Sequence, residues 1–221
     1  MKRFALAASA LFLLCAAAPT DWSNRARLLP NGAYLVGNPA ARVKLVEYAS
    51  YTCSHCAHFA VESKPVLKGA MIRSGSASLE LHHLIRDIID LSAVVVARCA
   101  GPAGFARTSD AIFAAQDDWL PRGAAYAEAN APKLNGLPIG GRLRAIADGA
   151  GLSAIGRANG LAETRLAVCF ADRAELDRVV AASEARPPEV TSTPSFFING
   201  RLAAAPDWAR LEPLLRAAGA K

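Results

Sequence analysis

The residues Val43-Lys44-Leu45-Val46-Glu47-Tyr48 form an apolar, β-branched run with Asn38-Pro39 before it and Ser50 after it, which predicts a strand over 42–48. From about Cys53 the period changes. Phe59 and Ala60, then Val66 and Leu67, recur at helical spacing, predicting a helix that kinks at Pro65 and stops at Gly69. A second strand is predicted over 79–85, so the chain opens as βαβ. Between 91 and 186, Ala-rich windows with helical spacing alternate with Gly101-Pro102, Pro121, Gly140-Gly141 and Gly160, predicting several short helices broken at those points. Asp172 with Glu175 three residues on has the form of a capping box, opening a helix through Leu176, Val179 and Val180. After Pro187-Pro188, Ser195-Phe196-Phe197-Ile198 is a predicted strand, Asn199-Gly200 a hairpin turn and Arg201-Leu202-Ala203 the returning strand. A helix over 206–218, stopped by Gly219, closes the chain.

This order divides the sequence into a leader at 1–18, the first part of an α/β sheet domain at 19–90, an inserted helical domain at 91–172 and the second part of the sheet domain at 173–221. The leader has Lys2 and Arg3 as a short positive region, no charge over 4–18, and Ala16-Ala17-Ala18 as the small residues that signal peptidase needs. A spanning helix would need roughly 20 apolar residues, and this run meets Pro19 and Asp21. The expectation is a cleaved export signal, which Cys15 leaves with it. An uncleaved anchor is the alternative; a lipoprotein reading of Cys15 is disfavoured by the bulky Leu14 before it.

With 52% hydrophobic and 20% charged residues, the roughly 200 residues that remain can bury a sizeable core. Removing Lys2 and Arg3 from 25 basic residues, against 19 acidic ones, leaves a charge of about +4. These charges are scattered, with no Lys/Arg block and no interleaved aromatic ladder, which argues against a nucleic-acid partner.

Export changes the meaning of the cysteines, because thiols outside the cytosol tend to be oxidised. Cys53 and Cys56 frame Ser54-His55 where the first strand gives way to a helix. A sulfur at a helix N-terminus faces unpaired N–H groups and the positive end of the dipole, which favour its thiolate. His55 can add a hydrogen bond or a positive charge. Cys56, one turn on, can close a short disulfide ring or resolve a mixed disulfide formed at Cys53. A purely structural C-x-x-C disulfide, or half of a zinc site, would use the same spacing, but no second ligand pair lies nearby in sequence, so the expected metal content is none. Glu47 shares strand parity with Val43 and Leu45, placing a carboxylate on an apolar face six residues before Cys53, where it could carry protons for Cys56. A cis Thr193–Pro194 bond would leave the Thr193 backbone free to pair with an extended client chain. Cys99 and Cys169 fall in the helical block. Each could be a small buried hydrophobe, but export favours a structural disulfide between them. His82 and His83 point to opposite faces of their strand and are read as structural or solvated, and Trp22, Trp119 and Trp208 as packing residues.

The segment Glu47-Tyr48-Ala49-Ser50-Tyr51-Thr52-Cys53-Ser54-His55-Cys56-Ala57-His58-Phe59, with the helical insert and Thr193-Pro194 further on, resembles the DsbA-like disulfide oxidoreductases of bacterial envelopes. The resemblance covers nearly all of the chain after the leader. It implies an α/β thioredoxin fold with an inserted α-helical domain, Cys53 as the attacking thiol, Cys56 as the resolving thiol, His55 as thiolate stabiliser, Glu47 as buried acid and Pro194 as the cis-proline. Ser54 stands where the best-known oxidases have proline and Thr193 where they have valine. Both are expected to tune potential and client release, so Ser54, Thr193 and Pro194 are the expected client-binding positions.

The leading expectation is a periplasmic thiol oxidase that passes its Cys53–Cys56 disulfide to reduced exported proteins. It would need no cofactor beyond that disulfide, and a membrane partner of the DsbB type or an equivalent would reoxidise it. Isomerases of this type dimerise through an added N-terminal domain; only about 20 residues separate the leader from the first strong strand, so a monomer is expected. The alternatives are an envelope reductase or isomerase, a metal-handling module using Cys53, Cys56 and His58, and a chaperone whose helical lid outweighs its thiols.

Overall fold

The structure, a computed structural model, describes residues 20–221. The expected leader at 1–18, with Cys15, lies outside the described residues. A six-stranded mixed sheet runs in the order β1-β2-β4-β3-β5-β6, formed by Ala26–Leu28, Tyr34–Gly37, Val43–Ala49 (β3), Ala77–His83 (β4), Ser195–Ile198 (β5) and Arg201–Ala203. The strands β3 and β4 pair in parallel, and every other pairing is antiparallel. In β3, Val43, Leu45 and Glu47 are buried while Lys44 is exposed, the two-residue alternation of a sheet. Glu47 lies at the centre, level with Leu81 of β4 and Phe196 of β5.

The hairpin of β1 and β2 was not anticipated from the sequence. Its strands are three and four residues long, and Pro30-Asn31-Gly32, with Gly32 at φ +85°, is the turn signal that could have revealed it.

Helix α1 runs Ser54–Ser63 and continues without a stop as a π-helical stretch, Lys64–Ile72. Pro65 stands where the winding changes. Gly69, the expected stop, lies inside the helix, which ends before the turn at Gly75. The helical block comprises α2 (Ile88–Cys99), α3 (Gly101–Ala114), α4 (Gln116–Ala129), α5 (Ala131–Asn135), α6 (Ile139–Ala150), α7 (Leu152–Ala158) and α8 (Glu163–Ala171). Gly101-Pro102 and Gly160 mark junctions as expected, but Pro121 sits inside α4. Both Pro121 and Asp117, whose carbonyl the proline leaves without a helical donor, are exposed, so water can meet that carbonyl. Gly140 and Gly141 lie inside α6 rather than breaking it, and a side chain at Gly140 would strike the backbone of Phe170. There the glycine serves close approach of α6 to α8.

Helix α9 (Arg173–Glu184) starts at Asp172, whose carboxylate accepts from Glu175 N–H at 2.9 Å. The other half of the box is absent, because the Glu175 carboxylate turns to Arg98 and Arg178. α9 packs back on β4. Asn199 and Gly200, both at positive φ, turn β5 into β6, and α10 (Trp208–Ala218) ends at Gly219 with φ +108°. The aromatic rings of Phe59, Phe196 and Trp208 join α1, β5 and α10. Among the described residues, no helix is long and apolar enough to cross a membrane.

Candidate active site at the dithiol

Cys53 is the N-cap of α1, with extended backbone (φ −92°, ψ 117°) and no side-chain cap to the helix. Its sulfur therefore meets free N–H groups of the first turn. Cys53 and Cys56 are both buried, free thiols. The S–H of Cys56 donates to the Cys53 sulfur, and this is the largest influence holding Cys53 down to about 4. Burial opposes it, while the Thr193 side chain and the backbone N–H groups of Cys56 and His55 add to it. As a thiol, Cys53 donates to the Thr193 carbonyl at 3.3 Å. Cys56 is pushed far up, first by the hydrogen bond it shares with Cys53, then by burial and by the charge of Glu47.

The Thr193–Pro194 bond is cis, and Thr193 faces Cys53 through the contact just described. Ser54 and His55 are exposed. Among the described residues the His55 imidazole makes no hydrogen bond, so this structure brings its backbone N–H, rather than its ring, to the thiolate. Glu47 is 3% exposed, and its Oε1 has no hydrogen-bond partner. Burial pushes its carboxyl up to about 8, with Lys68 pulling it down and the charges of Cys53 and Asp110 adding to the rise.

Two residues missed in the sequence hold the loop that carries Cys53. Asp90, fully buried near the start of α2, accepts from Ser50 Oγ at 2.6 Å and Tyr51 N–H at 2.9 Å. Gln116, the first residue of α4, donates through Nε2 to the carbonyls of Tyr51 at 2.6 Å and Cys53 at 3.0 Å. Asp87-x-x-Asp90 could have been read as a helix start, since Asp87 caps the Asp90 N–H. No local signal marks Gln116, which reaches the loop across 63 residues.

Cys99 and Cys169 form a disulfide joining α2 to α8, well along the chain from the dithiol. His82 stacks on Tyr48 and bonds Glu80, while His83 is buried against Tyr51 and Phe105. Trp119 is fully buried, donating to the Ile112 carbonyl. Among the described residues, no three His, Cys, Asp or Glu side chains converge as a cation site, and His58 is exposed, away from the buried sulfurs.

A paired dithiol at a helix start, a buried carboxyl beneath it and the carbonyl of Thr193, the residue before a cis-proline, beside it, on this sheet with this helical insert, define a dithiol site on a thioredoxin fold. The chain belongs to the family described as Thioredoxin, whose profile matches residues 30–217. A solved protein-disulfide isomerase from Novosphingobium aromaticivorans superposes with a TM-score of 0.77 at 34% identity, covering 86% of this chain and 98% of that one. Alpha-DsbA1 from Wolbachia pipientis shares the fold, with a TM-score of 0.66 at 22% identity over 86% of this chain and 92% of that one. A protein-disulfide oxidoreductase of Rickettsia typhi is 28% identical over 175 residues, which are 78% of this chain and 56% of that protein. The chain thus spans little more than half the length of the curated relatives it matches.

Proposed function

We propose that this protein is an exported thiol:disulfide oxidase, acting in the periplasm, that passes the Cys53–Cys56 disulfide to reduced exported proteins. The observation that carries the reading is the opposed setting of the two sulfurs, with Cys53 held down to about 4 and Cys56 far up. A thiolate stabilised in the reduced form makes the disulfide a good electron acceptor. A client thiolate attacks Cys53 Sγ, breaking the Cys53–Cys56 bond and expelling Cys56 as a thiolate. Cys56 takes up a proton, for which Glu47, balanced near 8, is the adjacent donor. A second client thiolate then attacks the client sulfur of the mixed disulfide and releases Cys53 as a stable thiolate. The client loses two electrons and the dithiol gains them, and a membrane-borne electron acceptor of the DsbB type restores the disulfide. Thr193 and Pro194 border the sulfur where the client chain would lie.

The name of the Novosphingobium relative favours isomerisation as a second reading. Equilibration in glutathione buffers, scoring Cys53–Cys56 separately from Cys99–Cys169 by mass spectrometry, separates the two. A potential near roughly −120 mV supports the oxidase, and one near roughly −270 mV makes the protein a reductant or isomerase that needs an electron supply.

A further inference from the structure

Beside Cys53 the surface opens into a cleft of about 570 Å³, walled by the loop around Thr52, the residues after β4 and the segment 191–193. Hydroxyls make up much of its lining, and among the described residues no carboxylate lines it. Arg86 is the lining residue of permanent charge. Its backbone N–H is anchored to buried Asp90 at 3.1 Å, while its exposed guanidinium makes one long bond, 3.4 Å, to the Thr52 carbonyl. Arg98, Arg144 and Arg178 each meet a carboxylate; among the described residues Arg86 meets none. The neighbouring acids are engaged elsewhere, Asp87 with the Thr52 hydroxyl and Asp90 with Ser50 and Tyr51. The cation is thus fixed at its base, held at its head by one long bond to the carbonyl of the residue before Cys53, and met by no carboxylate among the described residues.

We propose that Arg86 selects clients bearing an aspartate or glutamate two or three residues from the cysteine that attacks Cys53. An extended client rises about 3.3 Å per residue, so a carboxylate at that spacing reaches the guanidinium while the two sulfurs meet. The planar fork of arginine can hold a carboxylate through two hydrogen bonds, and complementary charge speeds encounter. The inference deepens the proposed function and rests on it.

The test uses the oxidised protein and three otherwise identical dithiol peptides carrying Asp, Asn or Lys two residues from the first cysteine. The second-order rate constant for peptide oxidation should be about fivefold higher for the Asp than for the Lys peptide at low salt, the scale of an exposed charge contact, and the ratio should shrink as salt rises. Arg86→Gln should bring the ratio close to one, and Arg86→Glu should invert it. Arg201→Glu, the same charge change on exposed β6, should leave the preference intact. Equal rates for Asp and Lys peptides, or a preference that survives Arg86→Glu, overturn the role of Arg86 alone, provided the Asn peptide is oxidised. Failure to oxidise any of the three peptides overturns the oxidase reading and this inference together.

Discussion

Two opposing effects meet on the Cys53 sulfur, because burial disfavours the anion while four hydrogen-bond donors favour it, and the donors prevail. An ordinary thiol near 8.5 is only about 3% ionised at pH 7, so holding Cys53 down to about 4 makes thiolate its resting state. A lowered pKa stabilises the folded, reduced protein fully above the ordinary thiol value, and that stabilisation is lost as pH falls through about 4. The disulfide form has no such group. The reduced protein should therefore melt above the oxidised one at pH 7, the gap closing toward pH 4, and thiolate absorbance should titrate with a midpoint near 4. Glu47 runs the other way. Its raised value favours the folded state below about 4.5, a contribution lost as pH rises through about 8. Glu47→Gln should flatten this pH dependence, being more stable than the native protein above pH 8 by on the order of 5 kcal/mol, and should slow release of Cys56 during exchange. Denaturant melts across pH 5–9 check the first effect and stopped-flow oxidation the second.

The loop between β3 and α1 that carries Cys53 is held by the ends of two helices of the insert. Gln116 at the start of α4 serves two carbonyls, and Asp90 in the first turn of α2 serves a hydroxyl and two backbone N–H groups. The insert is thus a brace for Cys53. Gln116→Leu would take this donor from two buried carbonyls at similar side-chain volume, leaving the Cys53 carbonyl the Ala57 N–H, a loss of roughly 1–3 kcal/mol. Because the loop sets Cys53 against the first turn of α1, the same substitution should raise the midpoint of the Cys53 thiolate titration, a change that destabilisation elsewhere in the insert would not produce.

Across the whole molecule, the helical block interrupts the sheet domain, and the Cys99–Cys169 bond ties the first long helix of the block to its last. It closes a loop of 70 residues, for which chain entropy gives roughly 4 kcal/mol of stabilisation. The double substitution Cys99→Ser and Cys169→Ser should lower unfolding stability by about that amount while leaving the Cys53 thiolate titration in place, measured by denaturant melts and absorbance on the same samples.

Elements whose cause is local were legible in the sequence. The alternation in β3, the Asn199-Gly200 turn, the Gly219 stop and the C-x-x-C pair at a helix start each depend on a few neighbouring residues, and strand parity together with its place six residues before Cys53 put Glu47 on the buried face. Tertiary contact decided the rest. Exposure of Asp117 to solvent lets Pro121 stay inside a helix, and Gly140 lies within α6, packed against Phe170, rather than at a break. The short first hairpin exists because β2 pairs with β4, more than 40 residues away. The brace from Asp90 and Gln116 joins residues 39 to 65 positions apart, and the setting of Arg86 follows from it. A sequence pattern carries periodicity and local backbone preference, whereas the desolvation, hydrogen bonds and charges that set a thiol's acidity arise only when distant segments are folded against it.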